Sequence, residues 1–203
     1  MSTISMSKMM LTTALIFSSV SAQPIILAPK LKAKMESTYP DYSYEIMTVT
    51  TEDDYYVPLF RIWNPAVTGQ KTKGPILFQH GSGMDGSDWI VNWVAPASPM
   101  VFADEGHDVY ISNWRGTEYA RLHKTLDEKT DAAAYWDFDN QDLAKDMIAN
   151  IKAMTAKTAS SAKGFVVSYS MGTDQSLIAM VDHSAELNDT IEKFVLLAPC
   201  PDL

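Results

Sequence analysis

The chain has 203 residues, of which 46% are hydrophobic and 20% are charged, so a disordered protein is excluded and one domain with a sizeable core is expected. The formal net charge of −9 argues against a nucleic-acid partner, because phosphate binding requires a basic face. Cys200 is the only cysteine, which excludes an internal disulfide and indicates a free thiol or a missing partner.

The N-terminus has the pattern of a secretory signal peptide. Lys8 precedes the apolar run Met9–Phe17, and small residues follow up to Ala22. The run is too short to span a membrane. We therefore expect residues 1–22 to be removed and the protein to be secreted or lysosomal. The alternative is a frayed or buried N-terminal helix.

Asn188 begins an Asn-Asp-Thr triplet in a polar stretch between a predicted helix and a predicted strand. This triplet has the spacing of an acceptor for N-linked glycosylation. Because such triplets also occur by chance, the prediction of glycosylation at Asn188 depends on secretion.

The first regular elements, after a loose arm over residues 23–38, are predicted to be the two strands of a hairpin. Tyr44–Thr51 and Tyr55–Trp63 are rich in β-branched and aromatic residues and are joined by an acidic turn. Pro58 predicts an edge position for the second strand, because proline has no N–H to donate to a neighbouring strand.

Four later segments have the continuous apolar pattern of buried strands. They are Pro75–His80, Asp108–Ser112, Gly164–Val167 and Phe194–Pro199. A short helix is predicted over Met100–Glu105, and apolar residues at helical spacing predict a longer one from Asp139 to about Ala156. Strands that alternate with helices predict one α/β domain over residues 39–203, with a mostly parallel sheet covered on both faces.

A turn of the form small-x-Ser-x-Gly connects the third of these strands to a helix-forming stretch, Thr173–Val181. The turn is Ser168-Tyr169-Ser170-Met171-Gly172. A serine at the centre of a strand–turn–helix is the context of a nucleophile elbow, whose strained backbone requires small residues on both sides. Ser170 is therefore the predicted nucleophile, and Ser168 is not, because Ser170 occupies the position where a small glycine would be needed. The alternative is an ordinary strand-to-helix turn.

Asp142 and Asp146 lie one helical turn apart on the long predicted helix. Such a pair could bind a metal ion, but carboxylates on an exposed helix face are far more common. We expect no metal and no cofactor.

Several stretches, taken in order, resemble the acid lipases of the α/β-hydrolase fold, the group that contains gastric and lysosomal acid lipase. The stretches are Gln79-His80-Gly81, Asp88-Trp89, Ala103–Gly106, Asp108-Val109, Asn113–Gly116, His123–Leu126, Tyr135–Phe138, Ser170–Gly172 and Leu197–Pro199. The resemblance extends from about Tyr39 to Pro199. It implies hydrolysis of lipid esters such as triacylglycerols or steryl esters, with a lipid–water interface as an expected partner.

The resemblance also implies roles for individual residues. The oxyanion of the reaction would be bound by the backbone N–H of Met171 and by that of Ser82, which follows His80-Gly81. His80 itself is expected to have a structural role. The chain departs from the family at the elbow, where Gly-His-Ser-Gln-Gly is usual. Ser168 and Met171 replace the first glycine and the glutamine, but the backbone N–H at 171 remains.

The acid and the histidine of the triad follow the nucleophile in this fold. His183 is the only later histidine and lies at the end of the predicted elbow helix, while Asp202 is close to the C-terminus. His107 and His123 precede the elbow, so structural or solvent-exposed positions are expected for them. We therefore expect that this chain is the N-terminal half of such a lipase, without its acid, histidine or lid, and that it is inactive or weakly active by itself.

Two other functions remain open. A secreted, non-catalytic binding or decoy protein could use the same half-fold. A peptidase or another hydrolase could share the elbow, although the acid-lipase stretches elsewhere in the chain argue against it.

Overall fold

The computed structural model describes residues 23–67, 73–91 and 96–199. The strands within these ranges are β1 (Ser43–Thr50), β2 (Tyr55–Trp63), β3 (Ile76–Gln79), β4 (Val109–Ile111), β5 (Leu122–His123), β6 (Gly164–Tyr169) and β7 (Ile191–Leu197). The helices are α1 (Pro29–Thr38), α2 (Asp88–Val91), α3 (Ser98–Asp104), α4 (Ala132–Tyr135), α5 (Asn140–Lys157), α6 (Gly172–Asp182) and α7 (Ser184–Thr190). The predicted signal peptide and Cys200 lie outside the described residues. Within them, no helix is both long and apolar enough to cross a membrane.

The strands form one sheet in the order β1-β2-β4-β3-β6-β7, and β5 pairs with β2. β4, β3, β6 and β7 run parallel, whereas β2 is antiparallel to β1, β4 and β5. This arrangement confirms the predicted α/β class with an antiparallel hairpin at its start. Because parallel strands end at the same edge of a sheet, Gln79, Ile111, Tyr169 and Leu197 all come to one edge, where α/β proteins usually build their sites.

Apolar side chains cover both faces of the sheet. On one face Leu31 of α1 and Met100 of α3 pack in a core with Phe78. On the other face Met147 and Ile151 of α5 pack in a core with Val166 and Leu77. Successive residues of a strand point to opposite faces, which is why Leu77 and Phe78 belong to different cores.

The sequence of α5 explains both its start and its orientation. Asp139 is the N-cap, and its carboxylate accepts hydrogen bonds from the backbone N–H groups of Gln141 and Asp142. The Asp142 carboxylate bonds back to the N–H of Asp139, which completes a capping box. Leu143, Met147, Ile151 and Met154 are all buried, and their spacing of three or four residues turns one face of the helix toward the sheet.

The edge position predicted from Pro58 is wrong. β2 lies inside the sheet, between β1 and β4. On the side away from β1, however, β2 pairs with β5 at Tyr55 and Tyr56 and with β4 from Phe60 onward, so Pro58 falls in the gap. The Pro58 carbonyl accepts a hydrogen bond from Asn113 Nδ2 at 3.1 Å. The missing N–H is tolerated because no strand faces it.

Three other expectations differ from the structure. The arm over 23–38 is not all loose, because α1 begins with Pro29 and buries Leu31 and Met35. Asn188 lies within α7 and is exposed, where the sequence indicated only a polar stretch. β7 is not a buried strand: Val195 and Leu197 are 45% and 41% exposed, because β7 has only β6 as a neighbour within the described sheet.

Candidate active site

Ser170 lies in the tight turn between β6 and α6 and has a backbone φ of 50°. This left-handed conformation is uncommon for residues other than glycine and persists only where the surroundings enforce it. The Ser170 N–H donates to the Leu197 carbonyl at 2.9 Å, and the Ser170 carbonyl accepts from the Thr173 N–H at 2.8 Å. The Thr173 hydroxyl also donates to that carbonyl, at 2.6 Å. The end of β7 and the first turn of α6 therefore hold the strained turn in place.

Two glycines allow the turn to pack against the loop after β3. A Cβ at Gly172 would overlap the carbonyl oxygen of His80, and a Cβ at Gly81 would lie 3.0 Å from the Cβ of Ser170. A Cβ atom can come this close to another atom only if that neighbour moves, so a larger residue at either position would displace the turn or the loop. The loop that carries Gly81 and Ser82 is thus in direct contact with the turn around Ser170.

Ser168 shows how the turn accommodates a residue other than glycine. Its side chain is completely buried, and its hydroxyl is hydrogen-bonded to the hydroxyl of Ser176 in α6. The Ser176 hydroxyl also donates to the Gly172 carbonyl at 3.1 Å. The extra Cβ and hydroxyl therefore join the strand to the helix on either side of Ser170.

The two residues predicted to bind an oxyanion lie on either side of this turn. Met171 is the N-cap of α6, at the helix end where backbone N–H groups point outward. Ser82 is exposed and directly follows Gly81. The structure therefore brings the α6 N-terminus and the loop after β3 to the same turn.

His80 is buried beneath this loop. Its ring lies 3.9 Å from that of Trp114, centroid to centroid, and its Nδ1–H donates to the Gly81 carbonyl at 2.9 Å. Burial lowers the pKa of His80 from 6.5 to about 4, only partly offset by this hydrogen bond and by the charge of Asp88. The imidazole is therefore neutral at ordinary pH, and its contacts hold the loop that precedes Ser82.

A cleft of about 810 Å³ opens beside Met171. One part of its wall is apolar and includes Met84, Trp114, Trp136 and Phe138, while another part is charged. Gly116, with φ of 82°, allows the Trp136 ring to pack against the backbone in this wall, because a Cβ at position 116 would lie 2.9 Å from that ring. The apolar wall of this cleft, beside the turn that contains Ser170, can hold the carbon chain of an acyl group.

Comparisons with known proteins agree with this geometry. Residues 36–93 match the family described as a partial alpha/beta-hydrolase lipase region. The chain is 33% identical over 165 residues to Lipase lipl-1 of Caenorhabditis elegans, covering 79% of this chain and 39% of the relative. It is 34% identical over 169 residues to the lysosomal acid lipase/cholesteryl ester hydrolase of Macaca fascicularis, covering 80% and 40%. It is 35% identical over 162 residues to triacylglycerol lipase 1 of Arabidopsis thaliana, covering 78% and 39%.

The chain is similar to lipases of this group. The likeness confirms the resemblance seen in its motifs, and the chain spans about two fifths of the length of these relatives. Among solved structures, the esterase Est22 superposes with a TM-score of 0.57 at 16% identity, over 84% of this chain and 49% of that one. A prolyl endopeptidase superposes with a TM-score of 0.55 at 19% identity, over 78% and 21%. At such identities these two likenesses show the fold alone.

The histidines other than His80 have partners away from the turn. His183 caps the end of α6, and its Nδ1 lies 3.6 Å from a carboxylate oxygen of Glu186. His107 Nδ1 donates to the Gly74 carbonyl at 2.8 Å. His123 Nδ1 accepts from the backbone N–H groups of Thr125 and Leu126 at 3.0 and 2.9 Å. These contacts are structural.

A buried ion cluster near the cleft was not predicted from the sequence. Arg115 is 1% exposed, and its guanidinium donates to Asp146 at 2.6 Å and to Asp53 at 2.8 Å. The guanidinium also lies 4.0 Å above the ring of Tyr55. Burial lowers the pKa of Arg115, but the hydrogen bonds that the guanidinium donates to both carboxylates outweigh this effect and hold the pKa above its ordinary value.

The same cluster accounts for the pair of carboxylates on α5. Asp146 is fully buried rather than on an exposed face, and it accepts from both the side chain and the backbone N–H of Arg115. Asp142 completes the cap of α5 and pairs with Lys145 at 3.0 Å. Because Asp53 and Asp146 lie 62 and 31 residues from Arg115 in the chain, no local pattern could have indicated the cluster.

Proposed function

We propose that this chain forms the nucleophile-bearing part of a serine hydrolase that cleaves carboxylic esters of lipids. The observation that carries the proposal is the positive φ of Ser170 in a strand–turn–helix whose neighbours are held by backbone hydrogen bonds. The relatives support lipid esters as the substrate class, because their names include triacylglycerol lipase and cholesteryl ester hydrolase.

In this mechanism the Ser170 hydroxyl oxygen attacks the ester carbonyl carbon, and a general base removes its proton. The carbonyl oxygen becomes an oxyanion, which the N–H groups of Met171 and Ser82 stabilise. The base then gives this proton to the alcohol oxygen as the carbon–oxygen bond breaks and the alcohol leaves, and water hydrolyses the acyl-enzyme. The chain spans about two fifths of the length of its relatives, and we infer that the triad acid and base lie in the part of such a lipase that it does not span. No metal or cofactor is needed for these steps.

A secreted or lysosomal route is part of the proposal. Its support is the pattern of residues 1–22 and the exposure of Asn188 in the Asn-Asp-Thr triplet. Expression in a secretory eukaryotic host, with N-terminal sequencing and glycosidase treatment, should give a chain that begins near Gln23 and shifts in mass on deglycosylation. An unglycosylated product that retains Met1 would contradict this route.

The test of catalysis uses serine variants in the full-length protein that carries this chain with its downstream acid and histidine. Ser170→Ala should abolish hydrolysis of a p-nitrophenyl ester. Ser168→Ala should retain most of it, because Ser168 lies in the turn but is buried against α6. Loss of activity in both variants, or in neither, would contradict the assignment of Ser170.

The 203-residue chain tested alone separates this proposal from a non-catalytic role of the whole protein. Without base and acid, serine hydrolases retain only about 10³–10⁴-fold rate enhancement over water, from the oxyanion hole and binding. If this chain hydrolyses the ester at a rate typical of complete serine hydrolases, and Ser170→Ala abolishes that activity, then the general base is among the four histidines of the chain. A full-length protein without esterase activity would support the binding or decoy role.

A further inference from the structure

Ala198, the residue after β7, has a left-handed backbone conformation with φ of 48°. In the part of the chain that the structure describes, Asp54 and Ser170 are the other residues besides glycine with a positive φ. Aspartate is enriched in this region of conformational space, whereas alanine is not. Pro199 follows, and the residue before a proline is restricted to extended conformations with negative φ. The conformation of Ala198 is therefore strained for two reasons.

Ala198 occupies the position on β7 that Ser170 occupies on β6. Tyr169 and Leu197 form the last pair of these two parallel strands, so Ser170 and Ala198 are the next residues along each strand. Both residues leave the sheet with a positive φ, which is 50° at Ser170 and 48° at Ala198. The Ser170 N–H donates to the Leu197 carbonyl at 2.9 Å. This hydrogen bond couples the two strained turns.

The Leu197 carbonyl belongs to the peptide plane that joins Leu197 to Ala198. Because a peptide plane is rigid, its orientation depends on the dihedral angles on either side, ψ of Leu197 and φ of Ala198. If residue 198 moved to a negative φ while the flanking chain stayed in place, the plane would rotate and the carbonyl oxygen would turn away from the Ser170 N–H. The turn at Ala198 therefore controls a backbone hydrogen bond that holds Ser170.

Core packing does not explain this conformation. The side chain of Ala198 is exposed, as is Pro199, so burial of these side chains does not offset the strain. Strained backbone persists mainly at functional sites, where it contributes to pre-organisation. We propose that Ala198 is a positioning residue for Ser170, because its left-handed turn keeps the Leu197 carbonyl directed at the Ser170 N–H. The proposal rests on the proposed function, in which Ser170 is the nucleophile.

The kinetic test uses the full-length protein that carries this chain, with a p-nitrophenyl ester as substrate. Ala198→Val introduces a β-branched residue, which resists a positive φ more strongly than alanine does. It should lower kcat at least about tenfold with little change in KM, because the Ser170 hydroxyl is misplaced while the cleft is intact. Ala198→Gly should keep kcat within about twofold of the wild type, because glycine adopts a positive φ without strain.

Asp54→Val is the matched control. Asp54 also has a positive φ, of 71°, but it lies in the turn between β1 and β2. A β-branched residue there should lower the stability of the protein and leave kcat unchanged. The control therefore separates an effect of strain at Ala198 on the reaction from a general effect of strain on folding.

Hydrogen exchange of the Ser170 amide provides a readout that requires no substrate. Mass spectrometry with fragmentation to single residues can follow this amide in the full-length protein. In Ala198→Val the amide should exchange at least about tenfold faster than in the wild type, because its acceptor has turned away. In Ala198→Gly and Asp54→Val it should exchange at the wild-type rate.

The outcomes distinguish this proposal from the proposed function. A wild-type protein without esterase activity would contradict the function of Ser170, and the exchange rates would still decide whether Ala198 holds its N–H. An active wild type with an unchanged kcat in Ala198→Val would overturn only the role of Ala198. That role is also overturned if exchange of the Ser170 amide is unaltered in Ala198→Val, or if Ala198→Gly or Asp54→Val lowers kcat as much.

Discussion

Two groups of buried polar side chains lie near the sheet edge where β6 leads into the turn around Ser170. They differ in how many of their polar atoms have hydrogen-bond partners. In the charged cluster, Arg115 is bonded to both Asp146 and Asp53. In the neutral cluster, Gln79 Nε2, His80 Nε2 and both polar atoms of the Gln175 side chain are buried with no hydrogen-bond partner among the described residues. Buried charge is tolerated only when paired, whereas neutral groups can remain partly unsatisfied at a lower cost.

The comparison separates two roles of buried polarity. The ion cluster joins the β1–β2 turn, the loop after β4 and α5, so it fixes the scaffold. The neutral groups belong to the elements on either side of the strained turn: Gln79 and His80 come just before Gly81, and Gln175 lies in the first turn of α6. Unsatisfied groups and strained backbone at the same place are typical of sites kept for function rather than for stability.

The largest effect is expected in the charged cluster. Arg115→Met leaves Asp146 buried without its partner and should lower the free energy of unfolding by about 3–5 kcal/mol. Adding Asp146→Leu should recover much of that loss, because no buried charge then remains. Urea unfolding measures both variants. Arg121→Met is the control, since its exposed pair with Glu128 at 3.5 Å should contribute less than about 1 kcal/mol. A loss below 1 kcal/mol for Arg115→Met would show that the cluster is not structural.

The next effect concerns pH and the neutral cluster. The pKa of His80 is about 4 in the folded chain and 6.5 ordinarily, so the unfolded chain binds more protons between these values. The resulting stability is present above pH 6.5 and is lost as the pH falls toward 4, by about 3 kcal/mol in total. His80→Asn should reduce the slope of unfolding free energy against pH in this window. An unchanged slope would contradict a buried, neutral His80.

The smallest effects concern the residues on either side of Ser170. Gly172→Ala should lower the free energy of unfolding by about 1–3 kcal/mol, because the new Cβ overlaps a backbone oxygen that cannot move freely. Ser168→Ala should cost only about 0.5–1.5 kcal/mol, since Ser176 keeps its bond to the Gly172 carbonyl. Thermal and urea unfolding compare the two. A larger loss for Ser168→Ala would mean that its hydroxyl pair, and not close packing, holds the turn.

The hairpin β1–β2 and the turn around Ser170 show which features of the fold local sequence patterns can predict. The strand Tyr55–Trp63 was predicted with its observed bounds, because its composition and its acidic turn are local signals. The helix after Ser170 was predicted for the same reason. The edge position predicted for β2 was wrong because a proline shows only that one backbone N–H is missing. Whether a strand faces that position depends on where β4 and β5 end, far away in the chain.

The sequence by itself determined the order along the chain of β1–β4, β6, β7, α3, α5 and α6, the turn around Ser170 and the likeness to acid lipases. Each of these depends on neighbouring residues and on spacings within one element. Only the tertiary structure decided that Arg115 joins Asp53 and Asp146, that β7 leaves Val195 and Leu197 exposed, and that Ile25 and Leu27 project beside buried neighbours. Burial and ion pairing depend on which distant segments meet when the sheet forms, and no local spacing encodes that.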